Sequence, residues 1–279
     1  MNTKNYVETN SDFLIKTNYI YPPKNTQIFE EYFLNRFLLE NPKTNRIYLP
    51  IQWTSYYHSK KINLNGLQNF LYDLPKNEKY FTIVQWDDNI MNDVNHLDLK
   101  IFAQGGNGLY KDKSYAIPLN CVFTSVNSLK KDIFASFVGA ISGRHKIREE
   151  LRNMYGLNDK YFISEGINYE KFREIMSRTL FSLCPRGYGQ TSFRIFESLK
   201  SGSIPVYIYD EPFMPFKNEF NFEDIGISIH HSELSNLDHI LSEKTSEDIE
   251  KMLIKGKYIC EKFFDYEGCY NEIINILKS

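Results

Sequence analysis

No stretch of the 279 residues approaches the roughly 18 uninterrupted apolar residues of a membrane-spanning helix, and the opening segment MNTKNYVETNSDFLIKTNY lacks the apolar centre of a secretory signal. These absences predict a soluble chain without a membrane span. Cysteine is scarce. Cys121, Cys184, Cys260 and Cys269 stand far apart with no Cys-x-x-Cys spacing, which excludes a disulfide framework or a zinc site and suits a reducing, cytoplasmic compartment. Basic excess is missing too: 33 Lys and Arg against 35 Asp and Glu give a net charge of −2, so nucleic acid is not an expected partner. The paired lysines Lys60–Lys61 and Lys130–Lys131 read as solvated faces. Neither GxxxxGK[ST] nor GxGxxG occurs. His58 and His96 are isolated, and His230–His231 are neighbours on an expected strand, facing opposite ways. No metal site is expected. Repeats, low-complexity tracts and flexible linkers are absent as well.

What is present is an alternation of helical and strand periods. Hydrophobic residues make up 42% and charged residues 24% of the chain, enough for a buried core of ordinary composition. The run Asn25–Glu40 has helical spacing, with Thr26 as its expected cap. Asn45–Trp53 reads as a strand weakened by Pro50, LNGLQNFLYDL as a helix, and Lys79–Trp86 as a buried parallel strand ending in Asp87-Asp88-Asn89. LKIFAQGGNG and YAIPLNCVFTS add two strand-like runs around a glycine-rich loop. The second half repeats the rhythm: Ile133–Ala140 as strand, SGRHKIREELRNMYG as a helix closed by Gly156 in a left-handed cap, then KYFISEG, NYEKFREIMSRT, TLFSLCP, SFRIFESLKSG, SIPVYIYD, IGISIHH and two terminal helices. Alternating strands and helices imply an α/β fold with parallel sheets and right-handed crossovers. The expected division is an N-terminal domain, 1–127, and a C-terminal domain, 128–279, with the last helix packing back on the first.

Chemistry concentrates in TLFSLCP–RGYGQT–SFRIFESLKSG–SIPVYIYD. If its two strands are parallel, Arg186 and Asp210 emerge at the carboxyl edge of the sheet, where open α/β sheets bind ligands. Gly187 and Gly189 allow close backbone approach, and a helix starting near Thr191 or Ser192 offers N–H groups and a positive dipole end to a phosphate. Arg186 and Arg194 add charge-assisted bonds for a diphosphate. On the helix, Phe193, Ile195, Phe196 and Leu199 form the apolar face, leaving Arg194 and Glu197 at i and i+3 on the other side. That carboxylate suits a ribose; an ordinary surface ion pair is the competing interpretation.

This segment resembles the signature of the exostosin-like glycosyltransferase family. The matching residues are Phe172-Arg173-Glu174, Phe181, Cys184-Pro185-Arg186-Gly187, Ser192-Phe193-Arg194, Glu197-Ser198-Leu199, Ile204-Pro205-Val206 and the run from Pro212 to Phe216. The resemblance is dense from about Ile133 to Phe216. It implies a GT-B-like fold, two Rossmann-like parallel-sheet domains facing a cleft, and an inverting, metal-independent transferase. Such an enzyme moves sugar from a nucleotide-sugar, UDP-sugar being the expected donor, to a glycan or glycoconjugate hydroxyl. The absence of an Asp-x-Asp after a strand disfavours the metal-dependent GT-A type. With no anchor in this chain, the likeness is to short soluble members, in a bacterium or a virus-infected host cell.

In that light Arg144 and Arg148, after the strand ending Phe137-Val138-Gly139, become candidates to neutralise the diphosphate. Inversion requires a general base; Asp88 or Asp87, at the end of the first domain's strongest strand, is the candidate, mutual repulsion raising one pKa. A strand-end turn is the competing role. The Gln104–Gly108 loop is expected either to approach the donor or to be a plain glycine turn. Trp53, Tyr56, Tyr57 and Trp86 are candidates for an acceptor platform. The rival functions are a fucosyltransferase-like enzyme using a GDP-sugar, and a catalytically silent protein that binds nucleotide-sugar or glycan.

Overall fold

The computed structural model describes residues 28–58, 64–119, 123–126, 130–141 and 146–278. It separates into two compact units, Met1–Pro118 with Tyr266–Ser279, and Leu119–Asp265. The division lies before the boundary between residues 127 and 128 expected from sequence. Phe123 packs its ring against Tyr169 and Phe172, and Arg173 donates to the Thr124 carbonyl at 2.6 Å, so the chain already belongs to the second unit there.

In the first unit the order is α1 (Phe29–Glu40), β1 (Ile47–Tyr48), α2 (Trp53–His58), α3 (Leu64–Tyr72), β2 (Lys79–Val84), β3 (Asp98–Ala103), β4 (Ser114–Ala116) and, from the far end of the chain, α9 (Tyr266–Lys278). The four strands form one parallel sheet in the order β1-β2-β3-β4. α1 and α9 share an aromatic core with it. Phe33 meets Tyr48 and Tyr270 at 5.2 and 5.0 Å between ring centroids, and Tyr48 stacks on Phe81 at 4.9 Å.

Two local expectations change. The strand expected over Asn45–Trp53 is limited to β1, and Trp53 opens a helix. Thr26 lies outside the described residues; the N-cap of α1 is Ile28, which makes no side-chain cap bond. Its capping comes from elsewhere in the unit: Gln85 Oε1 accepts the Phe29 N–H at 2.7 Å.

The second unit holds β5 (Ile133–Val138), α4 (Lys146–Tyr155), β6 (Tyr161–Ser164), α5 (Tyr169–Arg178), β7 (Thr179–Pro185), α6 (Phe193–Lys200), β8 (Ile204–Tyr209), β9 (Ile227–His230), α7 (Leu237–Ser242) and α8 (Ser246–Ile259). Its five strands are all parallel in the order β6-β5-β7-β8-β9, as the alternation required. Phe137, Phe181, Leu183, Val206 and Ile208 from the strands share a core with Ile147, Leu151 and Leu237 from the helices.

Gly156 does not adopt the left-handed cap expected of it, since its φ is not among the positive ones. Glycine is needed there for another reason: a Cβ would collide with the Arg152 carbonyl oxygen. His230 and His231 do not face opposite ways either. The strand ends at His230 and a 3₁₀ turn begins at His231, which brings their rings to 4.7 Å. Among the described residues no group of three His, Cys, Asp or Glu side chains is arranged to hold a metal ion. No described helix is long and apolar enough to cross a membrane.

Candidate functional site

The carboxyl edge of the second unit is assembled by β7, β8 and the loop between β7 and α6. Parallel pairing places Pro185 beside Ile208, so the residues just beyond them emerge together. Arg186 Nη1 donates to Asp210 Oδ1 at 2.7 Å, its Nη2 to the Tyr188 carbonyl at 2.6 Å and its Nε to the Gly187 carbonyl at 3.3 Å. Burial pushes the Asp210 carboxyl up, but the Arg186 hydrogen bond and charge outweigh it and hold the group below its ordinary range. Arg186 is therefore a brace of its own loop, only 7% exposed. Gly187 N–H donates to the Thr191 carbonyl at 2.9 Å and closes the turn. Gly189 is buried.

α6 begins where the sequence predicts. Ser192, in extended backbone, caps it by accepting the Arg194 N–H at 3.3 Å. Ile195, Phe196 and Leu199 are buried as expected, but so are Glu197 and Ser198. The polar stripe thus lies inside the protein, which overturns the surface-pair interpretation. Cys184, a buried thiol whose pKa desolvation pushes up to about 12, touches the Ser198 hydroxyl at 3.5 Å from beneath.

Arg194 Nη1 donates to Glu197 Oε2 at 2.7 Å, with side chains 13% and 10% exposed. Its Nη2 donates to the carbonyl of Val138, at the end of β5. The guanidinium lies 4.3 Å from the centroid of the Phe172 ring, a cation–π contact. Burial raises the Glu197 pKa, and the Arg194 charge only partly opposes it. Two polar atoms here have no hydrogen-bond partner, Arg194 Nε and Gln190 Oε1. Buried polar groups normally pair, and here a donor and an acceptor next to a helix start do not.

Arg148 joins the same edge from α4. Its Nε donates to the Arg186 carbonyl at 3.1 Å and its Nη1 to the Ala140 carbonyl at 2.8 Å. Arg144 lies outside the described residues. Arg148, Arg186 and Arg194 therefore stand around one loop, with Asp210 as the carboxylate partner of Arg186 and Glu197 as that of Arg194. Two cavities of about 650 and 550 Å³ also occur in this unit, the larger between Glu223–Asp224 and the Lys244–Tyr258 stretch. Neither includes a residue of the Arg186–Glu197 segment.

At the carboxyl edge of the first unit, Asp87 and Asp88 are half-buried. The Asp87 carbonyl accepts the Asn107 N–H at 3.0 Å. A Cβ at Gly105 or Gly108 would overlap the backbone of Asp87 or Asp88, and Gly106 and Gly108 have φ of 88° and 81°. Close packing against the aspartate turn explains those glycines. Trp53, Tyr56 and Tyr57 are core residues, 0%, 2% and 6% exposed, so the proposed platform loses three of its four members. Trp53 Nε1 instead donates to Thr82 Oγ1 at 2.8 Å.

Sequence gave no signal for Glu30. It sits in the first turn of α1, where an acidic residue is ordinarily solvated and favourable to the dipole. Here it is fully buried. Its Oε1 accepts the Gln85 N–H at 2.7 Å and the Thr54 hydroxyl at 2.8 Å, and its Oε2 the Thr54 N–H at 3.1 Å. Burial outweighs these bonds and pushes its pKa up to about 7.

Residues 124–244 match the model of the Exostosin GT47 domain, a span that contains the whole of this second-unit edge. The matching stretch is less than half of the chain, and over it the chain is similar to that domain. A probable glucuronosyltransferase of Oryza sativa subsp. japonica is 36% identical over 122 residues, covering 40% of this chain and 28% of the relative. A probable β-1,4-xylosyltransferase of Arabidopsis thaliana is 38% identical over 71 residues, covering 25% and 17%. The chain spans less than a third of the length of these relatives. In backbone, sucrose-phosphate synthase from Thermosynechococcus elongatus is similar at a TM-score of 0.45 and 13% identity, over 89% of this chain and 76% of that one. The sequence resemblance to exostosin-like proteins thus stands on the GT47 domain.

Proposed function

We propose that the protein is an inverting glycosyltransferase of the GT-B class, moving a sugar from a UDP-sugar to a glycan or glycoconjugate hydroxyl. The observation that carries the proposal is the GT47 match, which encloses the Arg186–Glu197 edge. In this proposal the α6 start at Thr191–Ser192 and the charge of Arg148, Arg186 and Arg194 face the diphosphate, and Glu197 takes the ribose. Attack by the acceptor oxygen on the anomeric carbon breaks the bond to the β-phosphate oxygen, and UDP departs with that electron pair. One of Asp87 and Asp88 accepts the acceptor's proton. The positive charge for the leaving group comes from arginine, so no essential metal is invoked.

Thermal shift with UDP, GDP and CMP, each with and without a chelator, tests this directly. UDP is expected to raise the melting temperature in both conditions, since a ligand at 100 times its Kd adds about 2.7 kcal/mol to the native state. Asp87→Asn or Asp88→Asn should keep the UDP shift while one of them abolishes turnover. Stabilisation by GDP alone would instead favour the fucosyltransferase-like alternative, and stabilisation by no nucleotide would sink the transferase proposal. Stabilisation by UDP without turnover on any UDP-sugar would leave a silent binding protein.

A further inference from the structure

The turn that carries Asp87 and Asp88 is held at two points. β2 ends at Val84, and residues 86–89 turn over with the Asn89 N–H donating to the Trp86 carbonyl at 3.0 Å. Asn107 holds the tip: its N–H donates to the Asp87 carbonyl at 3.0 Å and its Nδ2 to Asp88 Oδ1 at 3.4 Å. Glu30 holds the entry. Its Oε1 accepts the N–H of Gln85, one residue before the turn, at 2.7 Å, and Gln85 Oε1 accepts the Phe29 N–H at 2.7 Å in return. The same carboxyl accepts the Thr54 hydroxyl at 2.8 Å and, through Oε2, the Thr54 N–H at 3.1 Å. Glu30, Thr54 and Gln85 are 0–1% exposed, so solvent does not stand in for a bond that is lost.

We propose that Glu30 is a positioning residue for this turn, fixing through the Gln85 amide where the Asp87 and Asp88 carboxyls stand. The inference rests on the role proposed above for one of these aspartates as the base. Three donors from two segments converge on Glu30, and an ionised carboxylate, acceptor only, meets them all with lone pairs. A protonated carboxyl or an amide brings a donor of its own into a ring of donors, and a tie to β2 or to α2 is lost. Holding the charge there destabilises the fold, since burial pushes the Glu30 pKa up to about 7. An isosteric amide would avoid that loss. A group that costs stability while anchoring the strand end beneath the proposed base matches the trade of stability for activity at working sites. Position is what such an anchor supplies, because misplacing a reacting group by about 1 Å can cost about 100-fold in rate.

The test is steady-state kinetics of wild type, Glu30→Gln and Thr82→Val above the Glu30 pKa of about 7, with a UDP titration and a melting curve for each. Glu30→Gln is expected to lower kcat by roughly 10- to 100-fold, with the UDP affinity and the KM for UDP-sugar unchanged and the melting temperature not reduced. Thr82→Val strips the Trp53 bond from the middle of β2 and leaves both anchors of the turn. It should lower the melting temperature and keep the wild-type kcat. A wild-type kcat in Glu30→Gln would overturn the inference, and so would an equal fall in both variants, the sign of general loosening. If Glu30→Gln does not fold, Glu30→Asp, which keeps the charge but withdraws it by one methylene, is assayed for the same fall in kcat at unchanged UDP affinity. Asp87→Asn and Asp88→Asn, run alongside, separate the two levels. Loss of turnover in one of them keeps the base whatever Glu30 does, whereas full turnover in both defeats the base itself.

Discussion

Arg194→Ala is expected to lower the unfolding free energy by about 3–5 kcal/mol, the usual cost of removing one partner from a buried ion pair. Three contacts end together. Glu197 loses its arginine partner, the Val138 carbonyl loses a donor, and Phe172 loses the cation on its face. The pH dependence follows from the remaining carboxyl. Burial already raises the Glu197 pKa, with Arg194 opposing. Without the arginine the folded-state value rises further above the unfolded one. A raised carboxyl costs nothing while it is protonated in both states, and its penalty grows as pH rises through the folded pKa. Urea denaturation should therefore find a smaller deficit near about pH 5 than near about pH 8, and Glu197→Gln in the Arg194→Ala background should recover part of it. Equal deficits at both pH values would show that the lost packing, not the stranded charge, dominates.

Glu30→Gln is the second large effect, and its direction is opposite. The buried carboxyl has a pKa of about 7 against an ordinary value of 4.5. Below the lower value the side chain is neutral in both states. Between the two, the unfolded chain ionises first, and stability is lost until the folded carboxyl has ionised as well. The difference corresponds to roughly 3 kcal/mol of stability lost between acid and mildly alkaline pH. Glutamine cannot ionise, so Glu30→Gln should gain about that much relative to wild type between pH 4.5 and about pH 8. Comparing the two proteins cancels every other titration. A stability difference independent of pH would mean that the Thr54 and Gln85 bonds keep the carboxyl ionised throughout.

Much of the second unit was legible because its physics is local. Ser192 before an apolar helical face predicts the start of α6, and parallel β7 and β8 require Arg186 and Asp210 to meet. Burial of the stripe was not legible. A helical wheel places Arg194 and Glu197 opposite Ile195 and Leu199, but it contains no information about Val138 and Phe172, which close over that side from distant parts of the chain. The same limit applies to Glu30, whose donors come from Thr54 and Gln85. The glycines of the Gln104–Gly108 loop were visible as a turn; that they make room for Asp87 and Asp88 required the tertiary packing of two strand ends. Trp53 and Tyr57 misled because an aromatic in a strand-end segment serves a core as well as a sugar, and the core claimed them.

The edge between β7 and α6 is proposed to hold the diphosphate of a nucleotide-sugar. A crystal structure of the protein with UDP measures it most directly. Diphosphate oxygens are expected within hydrogen-bonding distance of the Thr191–Phe193 backbone and the edge arginines, with a ribose hydroxyl on the Glu197 carboxylate. UDP seated elsewhere, for instance in the cavity lined by Lys244, Lys251 and Tyr258 with the Arg186–Glu197 edge empty, would contradict it.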